Sequence, residues 1–527
     1  MEITQKAVPR MALVIDSVRR GGGRPRGQEM RRDAFRVNWQ VEKTRRITGR
    51  ATAMRWFGKK QLPSLDEPLF QWSPRDVVSV RMLLNSVAVF GRTGSGKTSY
   101  SGRQIGRAIV RNKKSGGLIH SAKPEDRRMW EAIFREAVRP DDLLIFGPGE
   151  PLRFNFLDYE MRHGGHTRNI TKVITTIGES LRASDVKGSE NADFWEREQE
   201  REIYNAVEVV KLATGRVSAP DLQRFISGAA NSPEMIAAET WRSGFHNQCI
   251  ARAFESDKSP IERHDFELAL DYWLNEYPNM ADKTRSSIST GVMGILHTFN
   301  TGIVRELVSS DTNASPDDIL AGKWILIDAS PSEYGDIGAF INAGWKYLTQ
   351  RAVLRRHVES SDPFVVIWCD EAHQFVNSHD AHYLAQSRSH RGCTVFLTQS
   401  VHSLYAALKG QAGKHQADAL LSNFGTKVVH AVGDAQSAEF AAGLVGRKLE
   451  TFIGGSSTPV EDLWDEMVGR TRFTGSFSEQ YEYVVQPNVF MNGLRTGGPS
   501  GASDAIVIRS GERFSNGQNH LFVTFTL

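Results

Sequence analysis

The stretch "SVAVFGRTGSGKTSYSGRQIGRAIV" (residues 86–110) joins a short apolar run, a glycine-rich segment and a helix-like pattern. Residues 86–90 predict a buried strand, and apolar residues recur at helical spacing after the glycines. Between them, residues 91–98 fit the pattern G-x-x-x-x-G-K-[ST] at every position. A strand, this loop and a helix in that order predict a nucleotide-binding α/β domain.

The loop has the residue types that phosphate binding requires. Glycines let backbone N–H groups turn towards phosphate oxygens, and the helix that follows adds the positive end of its dipole. Lys97 is expected to reach the β- and γ-phosphates and Thr98 to hold Mg²⁺, so ATP and Mg²⁺ are the predicted cofactors. The alternative is a structural loop that binds no nucleotide. The predicted nucleotide contacts are Gly91, Arg92, Thr93, Gly94, Ser95, Gly96, Lys97, Thr98 and Ser99.

Two further apolar runs end in polar residues. The segment "DPFVVIWCDEAHQF" (362–375) predicts a strand that ends at Asp370 and Glu371. Because α/β sheets bind ligands at the carboxyl ends of strands, Asp370 is predicted to orient Mg²⁺ and Glu371 to polarise the attacking water. A surface turn is the alternative. In "CTVFLTQS" (393–400), Gln399 is predicted to sense the γ-phosphate or position water, or else to cap the strand.

The letters DEAH at 370–373 also name a class of RNA helicases, which the architecture excludes. Lys97 and Asp370 lie more than half the chain apart, the next strand ends in Thr-Gln-Ser, and too little chain follows for a second complete core. The Asp-Glu pair is therefore interpreted as a general ATP-hydrolysis pair. His373 is predicted only to begin the next helix.

The order of predicted elements indicates an interrupted α/β domain. Strand–helix alternation predicts a mainly parallel sheet flanked by helices, and the middle of the chain has helical periodicity with few strand-like runs. The glycine-rich stretches "GGSS" (454–457) and "RTGGPSGASD" (495–504) predict loops or disorder. The predicted segments are a basic N-terminal region (1–78), the first part of the nucleotide-binding domain (79–164), an all-α insertion (165–305) and the second part, with C-terminal strands (306–527).

Charge and composition bear on location and partners. The net charge is +4, but residues 1–60 hold 16 Lys and Arg against five Asp and Glu. This basic head predicts contact with nucleic acid or acidic lipid, or a solvated arm. The three cysteines are far apart, and no apolar run approaches the roughly 18 residues of a membrane-spanning helix. A cytoplasmic protein without a transmembrane segment of its own is therefore expected.

The order of motifs resembles the type IV secretion coupling proteins, the TraG/TraD-like conjugative ATPases of the FtsK/HerA branch. The resemblance covers roughly residues 80–527. It implies a RecA-like P-loop fold and a homohexamer that hydrolyses ATP between subunits, pumps DNA, and works beside a relaxase and a membrane secretion channel. It rests on "GRTGSGKT", "SAKPEDRRMW", "RFNFLD", "NADFWEREQEREI", "WCDEAHQF", "QSRSHRGCTVFLTQSVHSLY" and "LSNFGTKVVHAVGDAQSAEFAAGLVG".

The resemblance also implies roles for individual residues. Asp370 and Glu371 correspond to the Walker B pair, Gln399 to a strand-tip sensor, and Arg388 to the arginine that reaches a neighbour's ATP, with Arg391 as a rival. Typical members begin with two transmembrane helices, so recruitment to the inner membrane through a separate anchor protein is expected here. Where the family has Asp-Pro-Lys-Gly-Glu this chain reads "SAKPE" (121–125), which leaves the role of the lysine open.

Three functions compete at this level. The leading hypothesis is a DNA-translocating ATPase of conjugative transfer. The second is a HerA-like DNA-processing translocase that acts with a nuclease, and the third is a non-hydrolysing module whose bound ATP shapes a docking surface. The first two require that residues 91–98 and 370–371 meet on adjacent strand tips.

Overall fold

The computed structural model describes residues 65–180, 192–359, 362–408, 413–459, 471–498 and 501–526. Most of the predicted basic N-terminal region lies outside these residues. The described residues all fall in one unit of the chain, Lys60–Leu527. Within them, no helix combines the length and the apolar character needed to cross a membrane.

The strands of the described residues form one large sheet and two antiparallel pairs. They are β1 (Pro68–Ser73), β2 (Asp76–Ser79), β3 (Val87–Phe90), β4 (Ser115–His120), β5 (Leu143–Phe146), β6 (Trp324–Ile327), β7 (Phe364–Cys369), β8 (Gly392–Thr398), β9 (Thr426–Val429), β10 (Arg447–Pro459), β11 (Thr471–Tyr483), β12 (Ala502–Arg509) and β13 (His520–Thr526).

The central sheet has nine strands in the order β13–β12–β9–β3–β8–β7–β4–β6–β5. The seven strands from β9 to β5 run parallel, whereas β12 is antiparallel to both β9 and β13. Parallel neighbours need crossover connections, which are helical here. This mostly parallel sheet with flanking helices confirms the predicted fold class.

Helices fill the connections between strands. Three helices lie between β2 and β5: α1 (Val80–Leu83), α2 (Arg103–Arg111), which continues a π-helical segment at Lys97–Gly102, and α3 (Glu125–Glu136). After β6 come α16 (Pro331–Arg355), α17 (Asp380–Ser387), α18 (Val401–Ala407), α19 (Gly413–Ser422) and α20 (Ala435–Val445). Short 3₁₀ turns lie at Pro140–Asp142, Ala372–Gln374 and Arg388–His390, and a π-helical turn lies at Val489–Gly493.

Between β5 and β6 the described residues contain helices and no strand. This matches the helical periodicity of the sequence there, while the segment boundaries at 165 and 305 stay a prediction. The helices are α4 (Phe156–Arg162), α5 (Thr167–Glu179), α6 (Ala192–Thr214), α7 (Ala219–Ser227), α8 (Pro233–Ala237), α9 (Glu239–Arg242), α10 (Phe245–Glu255), α11 (Pro260–Asp271), α12 (Tyr277–Asn279), α13 (Asp282–Asn300), α14 (Gly302–Val308) and α15 (Pro316–Leu320), with a π-helical turn at Tyr272–Glu276.

The strands of the sheet are apolar throughout because both of its faces are covered. Successive side chains of a strand point to opposite faces. On β7, Val365 and Ile367 join the core that includes the helices between β5 and β6. Val366 and Trp368 join the opposite core, which includes α2, α3 and the β1–β2 hairpin. The polar ends of the strands are therefore held by a sheet that is packed on both sides.

The antiparallel pair β10–β11 is a ribbon outside the central sheet. Its register runs without a break from Arg447 opposite Tyr483 to Pro459 opposite Thr471. The predicted loop at 454–457 is wrong, because these residues lie inside β10. The glycines do not interrupt the ladder since cross-strand hydrogen bonds come from the backbone. Of the loop predicted at 495–504, residues 499 and 500 lie outside the described residues, and the prediction is wrong for residues 502–504, which belong to β12.

All three cysteines of the chain are buried free thiols. Burial raises the pKa of Cys249 to about 11, and it also raises the pKa values of Cys369 and Cys393. Cys369 is the last residue of β7 and Cys393 lies in β8. Both strand thiols therefore belong to the packed sheet, as their apolar surroundings in the sequence predict.

Candidate nucleotide-binding site

Five neighbouring strands of the central sheet end at the same edge. The residues that follow β9, β3, β8, β7 and β4 are His430, Gly91, Gln399, Asp370 and Ser121. The prediction that the glycine-rich loop and the Asp-Glu pair lie on adjacent strand tips is wrong in one respect. Strand β8 lies between β3 and β7, so the tip that carries Gln399 stands between the other two.

The glycine-rich loop is fixed by backbone bonds to both neighbouring strand tips. The Gly91 N–H donates to the Thr398 carbonyl (3.2 Å), and the Arg92 N–H donates to the Ala431 carbonyl (2.9 Å). Gly94 and Gly96 have φ angles of 76° and 97°, in the left-handed region that glycine adopts without strain. The loop therefore has the conformation that its glycines predict.

The loop meets the Asp-Glu pair through two side-chain contacts. The Lys97 ammonium lies 2.9 Å from Glu371 Oε1, and the Thr98 hydroxyl donates to Asp370 Oδ2 at 2.9 Å. Lys97, Asp370 and Glu371 are all buried. The structure thus brings together the two motifs that lie more than half the chain apart, while the catalytic roles of these residues stay predictions.

Burial and the neighbouring charges act differently on the two carboxyl groups. Burial raises the pKa of Asp370, and the Lys97 ammonium and the Thr98 hydroxyl only partly offset it. Burial also acts to raise the pKa of Glu371, but the Lys97 ammonium and the Gln399 amide outweigh it, so this pKa is lowered. The surroundings thus favour the ionised form of Glu371 and disfavour that of Asp370.

The oxygen atoms of Thr98 and Asp370 fit a magnesium ion. Mg²⁺ prefers hard oxygen ligands and is usually held by one or two carboxylates together with waters and substrate phosphates. The described residues contain no cluster of three or more His, Cys, Asp or Glu side chains that would hold a metal by itself. Thr98 and Asp370 offer two oxygen ligands, and waters and substrate phosphates would supply the others.

Glu371 has an unusual backbone conformation for a residue with a side chain. Its φ and ψ angles are 49° and 53°, in the left-handed region. A non-glycine residue there costs of order 1 kcal/mol, and such residues cluster at functional sites. The turn ends β7 and starts the Ala372–Gln374 segment, and the Glu371 carboxylate lies beside Lys97.

Two residues of this edge were not assigned a role from the sequence. Lys123 Nζ lies 3.9 Å from Glu371 Oε1, although the Lys123 side chain is 57% exposed. Asp126 Oδ2 accepts the N–H groups of Ala122 and Lys123, both at 3.1 Å, and so shapes the turn after β4. Burial and then the nearby Asp370 charge raise the pKa of Asp126 to about 6. The sequence did contain one signal for Lys123 and Asp126, which is that their segment directly follows a buried strand.

His373 also faces the site. Its Nδ1 lies 3.7 Å from Glu371 Oε2, and both atoms are buried without a hydrogen bond to any described residue. The segment Ala372–Gln374 does form a short turn, so the prediction that His373 only begins the next helix is incomplete. The contact follows from the left-handed turn at Glu371, which sequence spacing does not reveal.

Arg388 and Arg391 lie at the other edge of the sheet, before β8. A strand of this length places them about 20 Å from the tip that carries Gln399. Arg391 Nη1 donates to the Asp362 carbonyl at 2.8 Å, whereas the Arg388 side chain is exposed. Arg391 is thus engaged within its own subunit, and the role of Arg388 towards a neighbour stays a prediction.

Comparisons with known proteins agree with this architecture. Residues 364–472 match the family described as the TraM recognition site of TraD and TraG. The fold is similar to that of the bacterial conjugative coupling protein TrwBdeltaN70 in its unbound form (TM-score 0.54, 14% identity, over 89% of this chain and 90% of that chain). No curated protein sequence matches the chain.

Two further solved structures of the plasmid coupling protein TrwB are similar. One is in complex with the ATP analogue ADPNP (TM-score 0.55, 15% identity, 88% of this chain and 90% of that chain). The other is in complex with ADP and Mg²⁺ (TM-score 0.50, 13% identity, 88% and 90%). At this identity the likeness concerns the fold. Together with the family match, it confirms the resemblance to TraG/TraD-like coupling proteins.

Proposed function

We propose that this chain is an ATP-hydrolysing, DNA-translocating motor of the coupling-protein type. The observation that carries the proposal is the meeting of Lys97 with Glu371 and of Thr98 with Asp370 at one edge of the sheet. Lysine and threonine of such loops bind phosphates and Mg²⁺, and an acidic pair supplies a metal ligand and a base. This site has all four groups within one chain.

The proposed chemistry assigns one task to each side chain. Lys97 binds the β- and γ-phosphate oxygens, and Thr98 and Asp370 hold Mg²⁺, which neutralises phosphate charge when bound. Glu371 accepts a proton from the attacking water, for which its lowered pKa keeps it ionised at neutral pH. Gln399 donates its amide hydrogens to orient the water or the γ-phosphate.

A ring of six copies would complete this site. Arg388 is exposed at the edge of the sheet opposite its own phosphate loop, so in the proposed homohexamer it serves the ATP of a neighbour. ATP bound between two subunits would then be hydrolysed only in the assembled ring. The proposal makes hydrolysis dependent on assembly.

DNA is the proposed cargo, and contact with it is expected to be independent of sequence. Motors of this type touch phosphates through cations and backbone N–H groups, so binding should weaken as salt rises. We propose that the protein acts in the cytoplasm beside a relaxase and reaches the membrane through a channel or anchor protein. Residues 364–472, matched by a family described by partner recognition, are the proposed place of relaxosome contact.

An ATPase assay with and without DNA tests this proposal. The wild-type chain is expected to hydrolyse ATP with Mg²⁺, faster when single- or double-stranded DNA is present and less so at high salt. Lys97→Ala and Glu371→Gln should abolish turnover, and Lys114→Ala serves as the matched control because Lys114 is exposed and far from the loop. Ring-shaped particles that hydrolyse ATP without any response to DNA would contradict the motor.

A recruitment module remains the second candidate because the family match is described by partner recognition. In that case ATP binds but is not turned over under any condition, and Lys97→Ala would weaken partner binding. A HerA-like translocase would instead hydrolyse ATP and co-purify with a nuclease. The same preparation therefore separates the three hypotheses.

A further inference from the structure

A buried histidine lies directly behind the phosphate loop. His430 follows β9, the strand next to β3 on the side away from β8, and it is fully buried. Its Nε2 lies 2.7 Å from Ser101 Oγ, and its Nδ1 lies 3.0 Å from both Ser503 Oγ and the Asp504 carbonyl. The ring therefore spans from the helix after the loop to β12.

The hydrogen atoms in this chain of contacts can be assigned from the partners. The Ser503 hydroxyl donates its single hydrogen to the Ser95 carbonyl at 2.7 Å. Its oxygen can then only accept from His430, and the Asp504 carbonyl can only accept as well. Nδ1 must therefore donate a hydrogen to these two acceptors. Because burial lowers the pKa of His430 to about 4, the ring is neutral and carries only this one N–H. Nε2 is left as an acceptor for the Ser101 hydroxyl.

The contacts hold the phosphate loop at two places. Ser95 is inside the loop, and Ser101 stands four residues after Lys97 in the helical segment Lys97–Gly102. The loop also begins with glycine where it packs closely, since a Cβ on Gly91 would lie 2.3 Å from Ser95 Oγ and 2.9 Å from the His430 Cβ. His430 thus sets the position of the loop relative to β9 and β12.

We propose that His430 is a positioning residue for nucleotide binding, which acts through Ser101 and Ser503 without touching the nucleotide. The inference rests on the proposed ATPase function. In this role His430 holds the loop amides and Lys97 in place before ATP arrives. The free energy of ordering the loop is then not subtracted from the free energy of ATP binding. Loss of the ring should weaken ATP binding more than it slows turnover at saturating ATP.

Conservative variants separate the two ends of the ring. The amide of His430→Gln reaches the region of Nε2 and can accept from Ser101, whereas the shorter amide of His430→Asn matches Nδ1 and can only serve β12. His430→Phe keeps bulk and loses both contacts. We expect the dissociation constant of a fluorescent ATP analogue to rise about tenfold for Phe, which loses both contacts, and by less for Asn and for Gln, each of which keeps one of them.

A double-mutant cycle and an exchange measurement complete the test. Ser101→Ala combined with His430→Phe should cost no more affinity than His430→Phe alone, because both remove the same contact. Hydrogen exchange of residues 91–98 in the nucleotide-free full chain should accelerate in His430→Phe. His520→Phe is the matched control, since His520 is a buried histidine of the same sheet at β13.

The outcomes distinguish the inference from the proposed function. Equal loop exchange and equal ATP affinity in wild type and His430→Phe would overturn the positioning role. The same loss in His520→Phe would also overturn it, because the effect would then be one of general stability. If the wild-type chain binds no ATP while loop exchange still responds to His430, the proposed function fails and the positioning of the loop stands.

Discussion

Two lysine–glutamate pairs lie at opposite edges of the central sheet and differ in their surroundings. Lys97 and Glu371 pair at 2.9 Å with side chains 7% and 5% exposed, whereas Lys114 and Glu67 pair at 3.2 Å with 45% and 41% exposed. The first pair is sheltered by five strand tips, while the second is solvated. An exposed pair contributes little to stability, whereas removing one partner of a buried pair leaves a costly charge. Loss of one charge should therefore destabilise the carboxyl edge of the sheet more than the opposite edge.

The largest difference between the two edges is expected for the lysines. Lys97→Ala should lower the free energy of unfolding by about 3 kcal/mol because it leaves Glu371 buried without its cation. It should also remove detectable ATP binding and hydrolysis. Lys114→Ala should change stability by less than about 1 kcal/mol and leave ATP binding unchanged. Chemical denaturation and ATP titration of both variants check this, and similar losses in the two would erase the distinction.

Replacing the two glutamates compares the contribution of each edge to ATP hydrolysis. Glu371→Gln preserves the shape of the side chain but removes the base, so kcat should fall by up to about 10⁴-fold while ATP still binds. Glu67→Gln at the opposite edge should have the kcat of wild type. Single-turnover hydrolysis separates binding from chemistry in each variant. A Glu371→Gln variant with wild-type turnover would remove the carboxylate from the mechanism.

Arg388 tests whether the opposite edge acts on another subunit. In assembled rings, Arg388→Ala should lower kcat by about 10³-fold, the scale of an arginine finger. Because its own loop is intact, mixing it with Lys97→Ala should restore activity at interfaces that join an intact loop to an intact Arg388. Mixed preparations that stay as inactive as their components would contradict action between subunits. Arg391→Ala is the control, since that side chain binds the Asp362 carbonyl.

The smallest effect is expected at the strand tip between the two motifs. Gln399→Ala removes an amide that helps to lower the pKa of Glu371. A lost hydrogen bond to a charged group corresponds to roughly a tenfold decrease in kcat. The pKa of Glu371 should rise, so the acid limb of the pH–rate profile should move to higher pH. Gln386→Ala, an exposed amide on α17, provides the comparison. An unchanged profile would limit Gln399 to capping the strand.

The sequence allowed the main parts of the site to be predicted because each follows a buried strand. The loop at 91–98, the pair at 370–371 and Gln399 all stand where an apolar run stops, and a parallel sheet collects such ends at one edge. The apolar runs did not predict the order of the strands within the sheet. Apolar runs do not specify neighbours, and so the place of β8 between β3 and β7 emerged only from the structure.

Other features had no local signal. The contact between His373 and Glu371 depends on a left-handed residue, and the contact of His430 with the loop depends on pairing between β3 and β9. Residues 454–457 of the β10–β11 ribbon predict a loop because they lack the apolar alternation of a half-buried strand. Leu449, Ile453 and Phe477 are exposed on it, so burial does not set its pattern.

The three buried thiols have a practical consequence for kinetic work on this molecule. Maleimides and disulfide reagents are attacked by the thiolate, and burial suppresses formation of the thiolate at Cys249, Cys369 and Cys393. A fluorescent maleimide would therefore label a cysteine introduced on the surface and leave the three native cysteines largely unlabelled. The rate at which Cys369, next to Asp370, is slowly modified would in turn report how often the sheet opens spontaneously beside the proposed metal ligand.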